Sequence, residues 1–230
     1  MKYSKIQERV CSEIEAMKQE ILETLQEMVR IPSVVGDEAK AQDYVEGLYR
    51  SLGLDVVRFQ PDIEKVKDHP SFIDTGMSYE NRPNIIGTLS GDQNSPSLIL
   101  HGHIDVVSPE PISEWTHDPW GAEIEGDRMY GRGAGDMKGG HVANFFALKA
   151  IVKAGLKPKG MVRLLSTIDE EAGGAGGTLA CLLEGYRADA MISTEPHNLN
   201  VTKGVSTSLS LQFFRSTPSI LFTSCELLIR

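Results

Sequence analysis

The sequence predicts an α/β fold in which a mixed sheet is sandwiched by helices. The first observation is that short apolar, β-favouring runs alternate with longer segments whose apolar residues recur every three or four positions. The second is the length of 230 residues, which suits one large domain or two small ones. No repeat of fixed period interrupts this alternation.

The N-terminal part of the predicted fold begins with a long amphipathic helix that ends before Pro32. A second helix over about residues 38–52 stops at Gly53, and the strand Leu54–Phe59 follows it. Residues 60–83 are rich in Pro, Asp, Ser and Gly and predict an irregular segment. The first helix carries one apolar stripe, which we interpret as core packing, made of Ile6, Val10, Ile14, Met17, Ile21, Leu25 and Met28.

The remaining predicted elements continue the same alternation. Two short runs, Asn84–Leu89 and Ser97–Leu100, extend the sheet. Apolar residues at helical spacing beyond Asp136 predict a helix, which the buried strand Met161–Ile168 follows. The last two predicted elements are the helix Thr178–Tyr186 and the strand Ala190–Ser193.

Charge and composition exclude several classes of partner. The net charge of −9 argues against nucleic acid, because phosphate neutralisation needs clustered Lys and Arg. The first fifteen residues mix charges of both signs and lack the apolar region of a signal peptide, and no run of about 20 apolar residues predicts a membrane span. Three cysteines form neither a metal-binding spacing nor an even disulfide set. We therefore expect a cytoplasmic protein.

The composition changes abruptly near Gly204. All 22 glycines lie in residues 1–204, whereas residues 205–230 contain six serines and one acidic residue, Glu226. We interpret residues 1–204 as the N-terminal part of a catalytic domain and residues 205–230 as an atypical tail produced by a frameshift or truncation. The alternative is a strand pair in an ordinary domain.

The first chemical motif is the strand end LILHGHIDVV at residues 98–107. Side chains alternate along a strand, so His103 and Asp105 share a face. A neutral imidazole is a good zinc ligand, and a carboxylate on its other nitrogen fixes the tautomer. The alternative is a His–Asp pair that satisfies itself. His101 falls on the same face, and we interpret it as packing or outer support.

The second motif is the glycine-rich segment YGRGAGDMKGG at residues 130–140. Its glycines allow a tight turn that presents Asp136, and one carboxylate can bridge two cations through its two oxygens. Phosphate binding is the competing interpretation. It is weaker because the spacing fits neither phosphate-binding glycine motif and because Asp136 would repel an anion.

Two further motifs end strands in carboxylates. In LLSTIDEEAGG, residues 164–174, Glu170 and Glu171 are adjacent and point in different directions, so one can bind a metal while the other accepts a proton. By itself such a pair is usually a solvated surface feature. In ISTEPH, residues 192–197, Glu195 follows a strand and precedes a proline turn. The complete set is the layout of a two-metal hydrolase site.

The four motifs, in this order and spacing, resemble the M20 metallopeptidase family, which includes acetylornithine deacetylase, succinyl-diaminopimelate desuccinylase, aminoacylase and glutamate carboxypeptidase. The resemblance covers roughly residues 15–204 and includes the segment from Trp115 to Gly131, WTHDPWGAEIEGDRMYG, which is similar to the family's link between its first two motifs. The final 26 residues do not resemble the family. The resemblance implies a zinc-exopeptidase-like catalytic domain that is incomplete at its C-terminus.

The same resemblance implies a site for two zinc ions, although Co²⁺ or Mn²⁺ suits the same ligands. Asp136 then bridges both ions, His103 and Glu195 complete one site, and Glu171 serves the other. Members of the family supply a further histidine late in the chain, and this sequence has no histidine after His197.

The resemblance also assigns the acid–base chemistry. Glu170 is implied as the general base, which takes a proton from the attacking water and returns it to the leaving amine. Asp105 is implied to orient His103. The peptide bond between Asp136 and Met137 is commonly cis in the family.

The function implied is hydrolysis of the amide bond of a small N-acylated amino acid or related compound, in the acetylornithine deacetylase and desuccinylase branch, with an N-formyl-aminopyrimidine deformylase close behind. The alternatives are an M20 dipeptidase or carboxypeptidase and an inactive truncated metal-binding remnant. The family forms homodimers through a lid and dimerisation domain that is absent from this sequence. We therefore expect the 230-residue chain to be poorly soluble or inactive.

Overall fold

A computed structural model of the chain describes residues 4–196, so His197 and the tail of residues 205–230 lie outside the described part. The main sheet has five strands in the order β1-β2-β6-β3-β7, and β4 and β5 form a separate two-stranded ribbon. The strands are β1 (Asp55–Phe59), β2 (Asn84–Leu89), β3 (Leu98–His103), β4 (Glu123–Glu125), β5 (Arg128–Tyr130), β6 (Val162–Thr167) and β7 (Ala190–Ser193).

The sheet is mixed, and its parallel half determines where polar side chains meet. β1 pairs with β2 and β2 with β6 in the antiparallel sense, whereas β6, β3 and β7 are parallel to one another. Leu98 at the start of β3 is in register with Val162 of β6 and Ala190 of β7. The carboxyl ends of these three strands therefore lie along one edge of the sheet, the usual place for a site in such folds.

Helices cover both faces of the sheet, which confirms the predicted α/β sandwich. The larger apolar core lies between the sheet and α1, α2, α3 and α5, and a smaller one around Ile86, Ile99 and Leu165 lies on the opposite face with α6. The helices are α1 (Lys5–Ala16), α2 (Lys18–Arg30), α3 (Ala39–Ser51), α4 (Ile63–Val66), α5 (Gly139–Lys153) and α6 (Ala180–Leu183).

The long N-terminal helix predicted from the apolar stripe is two helices. Met17 ends α1 and begins α2, with φ −97° and ψ 5°. The segment contains neither proline nor glycine, so no local signal indicates the break. Both helices pack on α5, and the stripe stays buried through Val10, Met17, Ile21 and Met28. The packing interpretation is thus confirmed for the stripe except at Ile6, which is 50% exposed.

Two other predicted elements differ from the observed bounds by more than one residue at an end. β3 continues beyond Leu100 to His103 because its pairing with β6 continues to Thr167. The predicted helix Thr178–Tyr186 is a π-helical turn followed by the short α6, and it ends early because Gly185 adopts φ 89°.

Helix α5 is the central element of the larger core. Ten of its 15 residues are buried, so it is apolar on nearly every side rather than amphipathic. It crosses β3 closely at Gly102, where an added Cβ would lie 3.0 Å from the ring of His141. No helix among residues 4–196 is long and apolar enough to cross a membrane.

Candidate metal centre

The candidate site residues meet at the carboxyl edge of the parallel strands. His103 is the last residue of β3, and Asp105 follows it by two positions. Glu170 and Glu171 come shortly after β6, and Glu195 lies two residues beyond β7. Because these three strands are parallel neighbours, the sheet brings together residues that are far apart in sequence.

His103 faces three carboxylates. Its Nε2 lies 3.3 Å from Oδ1 of Asp136 and 3.7 Å from a carboxylate oxygen of each of Glu170 and Glu195. The nearest donor atoms of His103, Asp136 and Glu195 all lie within 4.8 Å of one another. Burial disfavours the charged imidazole, but the carboxylates of Asp136 and Glu195 raise the pKa of His103 well above its usual value.

The tautomer of His103 follows from its other nitrogen. Nδ1 lies 2.9 Å from the main-chain oxygen of Asp105, and because a carbonyl only accepts, Nδ1 must donate. In the neutral ring the lone pair is then on Nε2. This buried atom has no hydrogen-bond partner in the part of the chain that the structure describes. It is oriented as a metal ligand would be.

Asp105 contacts His103 chiefly through its main-chain oxygen. Its carboxylate is 3.7 Å from Nδ1, farther than its own main-chain oxygen, because it accepts hydrogen bonds from the main-chain N–H groups of Glu170 (3.2 Å) and Glu171 (3.0 Å). Asp105 is fully buried, and burial raises its pKa to about 6. It therefore links the end of β3 to the glutamate pair as well as to the histidine.

Asp136 is presented by an irregular turn, as predicted. The side chain is 37% exposed, and the turn starts at Gly133 with φ 80°, a left-handed conformation that glycine adopts without strain. The peptide bond between Asp136 and Met137 is cis, as the resemblance implied. The buried Lys138 anchors the turn by donating to the main-chain oxygens of Met28 (3.0 Å) and Ile31 (2.8 Å).

The two adjacent glutamates differ in their surroundings. Burial raises the pKa of Glu170, and the nearby Glu195, Asp105 and Asp136 carboxylates add to the effect. Burial, then the neighbouring Asp136, raises the pKa of Glu171 to about 7. Within residues 4–196, neither glutamate belongs to the group of donor atoms that lie within 4.8 Å of one another. The pair lies beside that group, and Glu170 is the member close to His103.

His101 supports the sheet behind the site. Its Nδ1 lies 2.9 Å from the hydroxyl of Ser193, and its Nε2 lies 3.0 Å from the hydroxyls of Thr167 and Thr178. Burial, and then the neighbouring His103, lowers the pKa of His101 to about 4, so the ring is neutral at pH 7. This agrees with the prediction of packing or outer support.

A buried ion-pair network beneath the glutamates escaped sequence reasoning. Arg82 donates two hydrogen bonds to Glu38, at 2.7 and 2.8 Å, and one to Asp169 at 3.2 Å. Tyr79 also donates to Asp169, which adopts φ 68° immediately before Glu170. The network thus sets the backbone from which the glutamate pair projects. Its members lie in three separate segments, and only the buried aspartate beside the pair offered a local signal.

A mixed α/β sheet with histidine and carboxylates at the ends of its parallel strands is typical of metal-dependent hydrolases. Residues 99–226 match the model described as Peptidase family M20/M25/M40, which is more than half of the chain. The chain therefore belongs to this family of hydrolases and peptidases.

Among its relatives are two kinds of deacylating enzyme. The chain is 39% identical over 131 residues to N-formyl-4-amino-5-aminomethyl-2-methylpyrimidine deformylase of Bacillus subtilis (strain 168), covering 56% of this chain and 30% of that protein. It is 35% identical over 179 residues to succinyl-diaminopimelate desuccinylase of Rhodospirillum centenum, covering 75% and 42%. The chain thus spans less than half of the length of these relatives.

Solved structures show the same fold. Human carnosine dipeptidase 1 matches with a TM-score of 0.67 at 22% identity, over 82% of this chain and 41% of that one. The M20 family metallo-carboxypeptidase Sso-CP2 from Sulfolobus solfataricus matches with a TM-score of 0.60 at 27% identity, over 76% and 37%. These matches confirm the predicted zinc-exopeptidase-like architecture.

Proposed function

We propose that this chain carries the metal-binding side of a hydrolase site that cleaves the amide bond of a small N-acylated amino acid or related compound. The observation that supports this most is the buried Nε2 of His103, which faces the carboxylates of Asp136 and Glu195. Nitrogen and oxygen donors in this number suit Zn²⁺, Co²⁺ or Mn²⁺.

The charges of the site favour a cation. The Nε2 lone pair of neutral His103 and the oxygens of three surrounding carboxylates are all acceptors, so they repel one another unless a proton or a cation lies between them. In this proposal His103, Asp136 and Glu195 hold one divalent ion, and Asp136 with Glu171 holds a second. Such ions act as Lewis acids toward the amide carbonyl and lower the pKa of bound water to about 7.

Glu170 is the proposed general base. Its side chain is 45% exposed beside His103, and its main chain is fixed by a hydrogen bond to Asp105. The Glu170 carboxylate takes one proton from the attacking water, and the oxygen of that water forms a bond to the carbonyl carbon. Glu170 then gives the proton to the nitrogen as the C–N bond breaks, which releases an acid and an amine.

The substrate class rests on the relatives. A deformylase and a desuccinylase remove small acyl groups from amines, as their names state. The chain shares 39% and 35% sequence identity with these two enzymes, more than the 22% and 27% that it shares with the dipeptidase and carboxypeptidase structures. A dipeptidase or carboxypeptidase activity is the second candidate, favoured by the 27% identity to Sso-CP2. A cytoplasmic location belongs to the same proposal.

Metal binding tests the site directly. Co²⁺ or Zn²⁺ titrated into the metal-free 230-residue chain should bind with a stoichiometry of at least one, and His103→Ala should weaken binding by about 100-fold or more, because the single nitrogen ligand is lost. Equal binding by His103→Ala would contradict the proposed site.

The substrate class is tested in a chimera because the chain spans less than half of its relatives. Residues 4–196 would replace the matching segment of the Halalkalibacterium halodurans deformylase, to which the chain is 32% identical over 196 residues. The chimera should hydrolyse N-formyl and N-succinyl amines faster than unblocked dipeptides, and Glu170→Gln should lower kcat by about 10²-fold or more. Preference for free dipeptides would favour the second candidate.

A further inference from the structure

One side chain of α5 joins β3, which ends in His103, to the segment after β7 that carries Glu195. Asn144 is only 5% exposed. Its Nδ2 donates one hydrogen bond to the main-chain oxygen of His101 and one to Oγ1 of Thr194, both at 3.0 Å. His101 precedes His103 by two residues, and Thr194 directly precedes Glu195. The two ligand-bearing chain ends therefore share one donor group.

These bonds lie where regular pairing between the strands stops. The register of β3 with β7 ends at the pair His101 and Ser193. Thr194 and Glu195 lie beyond that last pair, so the side-chain hydrogen bond of Asn144 continues the connection toward the centre.

The first turn of α5 adds a second constraint on the same segment. Gly140 and Asn144 are four residues apart and lie on one face of the helix. A Cβ added at Gly140 would lie 2.1 Å from the main-chain oxygen of Thr194, so the helix backbone contacts the strand end directly. Since α5 also begins three residues after Asp136, this helix adjoins all three chain segments of the donor group.

We propose that Asn144 is a positioning residue that sets the separation of His103 and Glu195 and thereby the metal affinity of the centre. This inference rests on the proposed function, because it assumes that these residues bind a metal ion. Bound metal tolerates ligand displacements of only about 0.5 Å. Partners of ligating residues typically change metal affinity by about 10- to 100-fold when removed.

The test compares Asn144→Ala with two variants of its partner. Thr194→Val removes the hydroxyl and keeps the branched shape, whereas Thr194→Ser keeps the hydroxyl. Asn144→Ala and Thr194→Val should each weaken Co²⁺ binding by about 10- to 100-fold and change the Co²⁺ visible absorption, which reports ligand geometry. Thr194→Ser should bind as the wild type does. The double variant should bind Co²⁺ no more weakly than the worse single variant, because Asn144→Ala already removes the hydrogen bond that Thr194→Val removes.

Gln42→Ala is the matched control. Gln42 is another buried carboxamide, which donates to the main-chain oxygen of Ser166 at 3.0 Å and accepts from its hydroxyl at 2.6 Å. It holds α3 to Ser166 near the end of β6, the one of the three parallel strands that carries no residue of the His103, Asp136 and Glu195 donor group. It should lower the urea midpoint of the metal-free chain as Asn144→Ala does, yet leave the Co²⁺ dissociation constant within about twofold.

The outcomes separate this inference from the proposed function. If the wild type binds Co²⁺ and both Asn144→Ala and Thr194→Val bind it within twofold with an unchanged spectrum, Asn144 is not a positioning residue. Weakening of the same size in Gln42→Ala would also overturn the inference, since general destabilisation would then explain it. If the wild type itself binds no Co²⁺, the proposed function fails first.

Discussion

At the scale of single residues, the candidate centre concentrates carboxylates whose pKa values are raised. Asp105, Glu170 and Glu171 all have pKa values raised chiefly by burial, and each also has other carboxylates nearby. Burial of like charges costs free energy, so the metal-free chain carries a pH-dependent instability at this site.

Glu171→Gln should reveal this instability. The folded-state pKa of Glu171 is about 7, above its ordinary value of 4.5, so the native state holds the proton more tightly than the unfolded chain. The stability this provides is complete below pH 4.5 and is lost as pH rises to about 7. In EDTA, the urea midpoint of the variant should therefore rise relative to that of the wild type as the pH is raised from 4.5 to 7.

The control for that measurement is saturating Zn²⁺. A bound cation favours the ionised carboxylate, so the wild type should then be the more stable protein above pH 7. A gap between the two midpoints that is the same at pH 4.5 and pH 8 in EDTA would count against the raised pKa.

Arg82→Met should strongly destabilise the fold. Arg82 is 2% exposed and is paired with the fully buried Glu38 and Asp169, so its removal leaves two uncompensated carboxylates in the core. Breaking a buried pair in this way costs about 3–5 kcal/mol. Urea unfolding of the metal-free chain at pH 7 measures the loss.

Arg58→Met is the matched surface variant. Arg58 also joins two carboxylates, Asp43 and Glu46, but its side chain is 36% exposed. Solvent screens that pair, and the expected loss is at most about 1 kcal/mol. Comparable losses of unfolding free energy in Arg58→Met and Arg82→Met would show that burial of the ion pair does not determine the size of the loss.

At the scale of elements, the contact of α5 with the end of β7 depends on the absence of a side chain. Gly140→Ala would place a Cβ 2.1 Å from the main-chain oxygen of Thr194, which cannot move without shifting Glu195. Overpacking of this kind costs about 1–3 kcal/mol, and we expect the Co²⁺ affinity to fall with it. Urea unfolding and Co²⁺ titration of the variant measure the two effects.

Gly47→Ala is the control on another helix. Gly47 lies within α3, is exposed, and has no heavy atom within 4 Å of an added Cβ. Alanine is the better helix former there, so this variant should be more stable by about 0.5–1 kcal/mol. If Gly140→Ala behaves in the same way, the close approach of α5 to β7 is not a constraint.

At the scale of the whole molecule, metal binding should stabilise the fold by mass action. The donor group joins β3, the turn before α5 and the end of β7, so the unfolded chain cannot reproduce it. At a free Zn²⁺ concentration 100 times the dissociation constant, the expected gain is about 2.7 kcal/mol in unfolding free energy. Thermal or urea unfolding with and without Zn²⁺ measures it.

Two histidine variants make that test specific. His103→Ala should abolish the Zn²⁺-dependent gain. His117→Ala removes another histidine with a close carboxylate, since Nδ1 of His117 lies 3.0 Å from the carboxylate of Glu123 in β4, and this variant should retain the full gain. A gain that survives in His103→Ala would place the Zn²⁺ elsewhere.

The sequence by itself determined the α/β class and most strand positions, and its motifs pointed to His103, Asp136 and Glu195, whose donor atoms lie close together. Local signals sufficed for these features. Short apolar runs that alternate with helical periodicity indicate the strands of the sheet, and the motifs place a histidine or a carboxylate near strand ends. The strand Asn84–Leu89 and the strand Ala190–Ser193 have the predicted bounds. The presentation of Asp136 by a glycine turn is likewise a local property.

Only the tertiary structure decided how these residues contact one another. The buried bond between Arg82 and Glu38, and the bonds that the Asp105 carboxylate accepts from the N–H groups of Glu170 and Glu171, join residues distant in sequence. Asn144 belongs to the same group, since its partners lie 43 and 50 residues away. A periodicity or a motif specifies which face a residue occupies, whereas hydrogen bonding and burial of charge are settled by packing between elements.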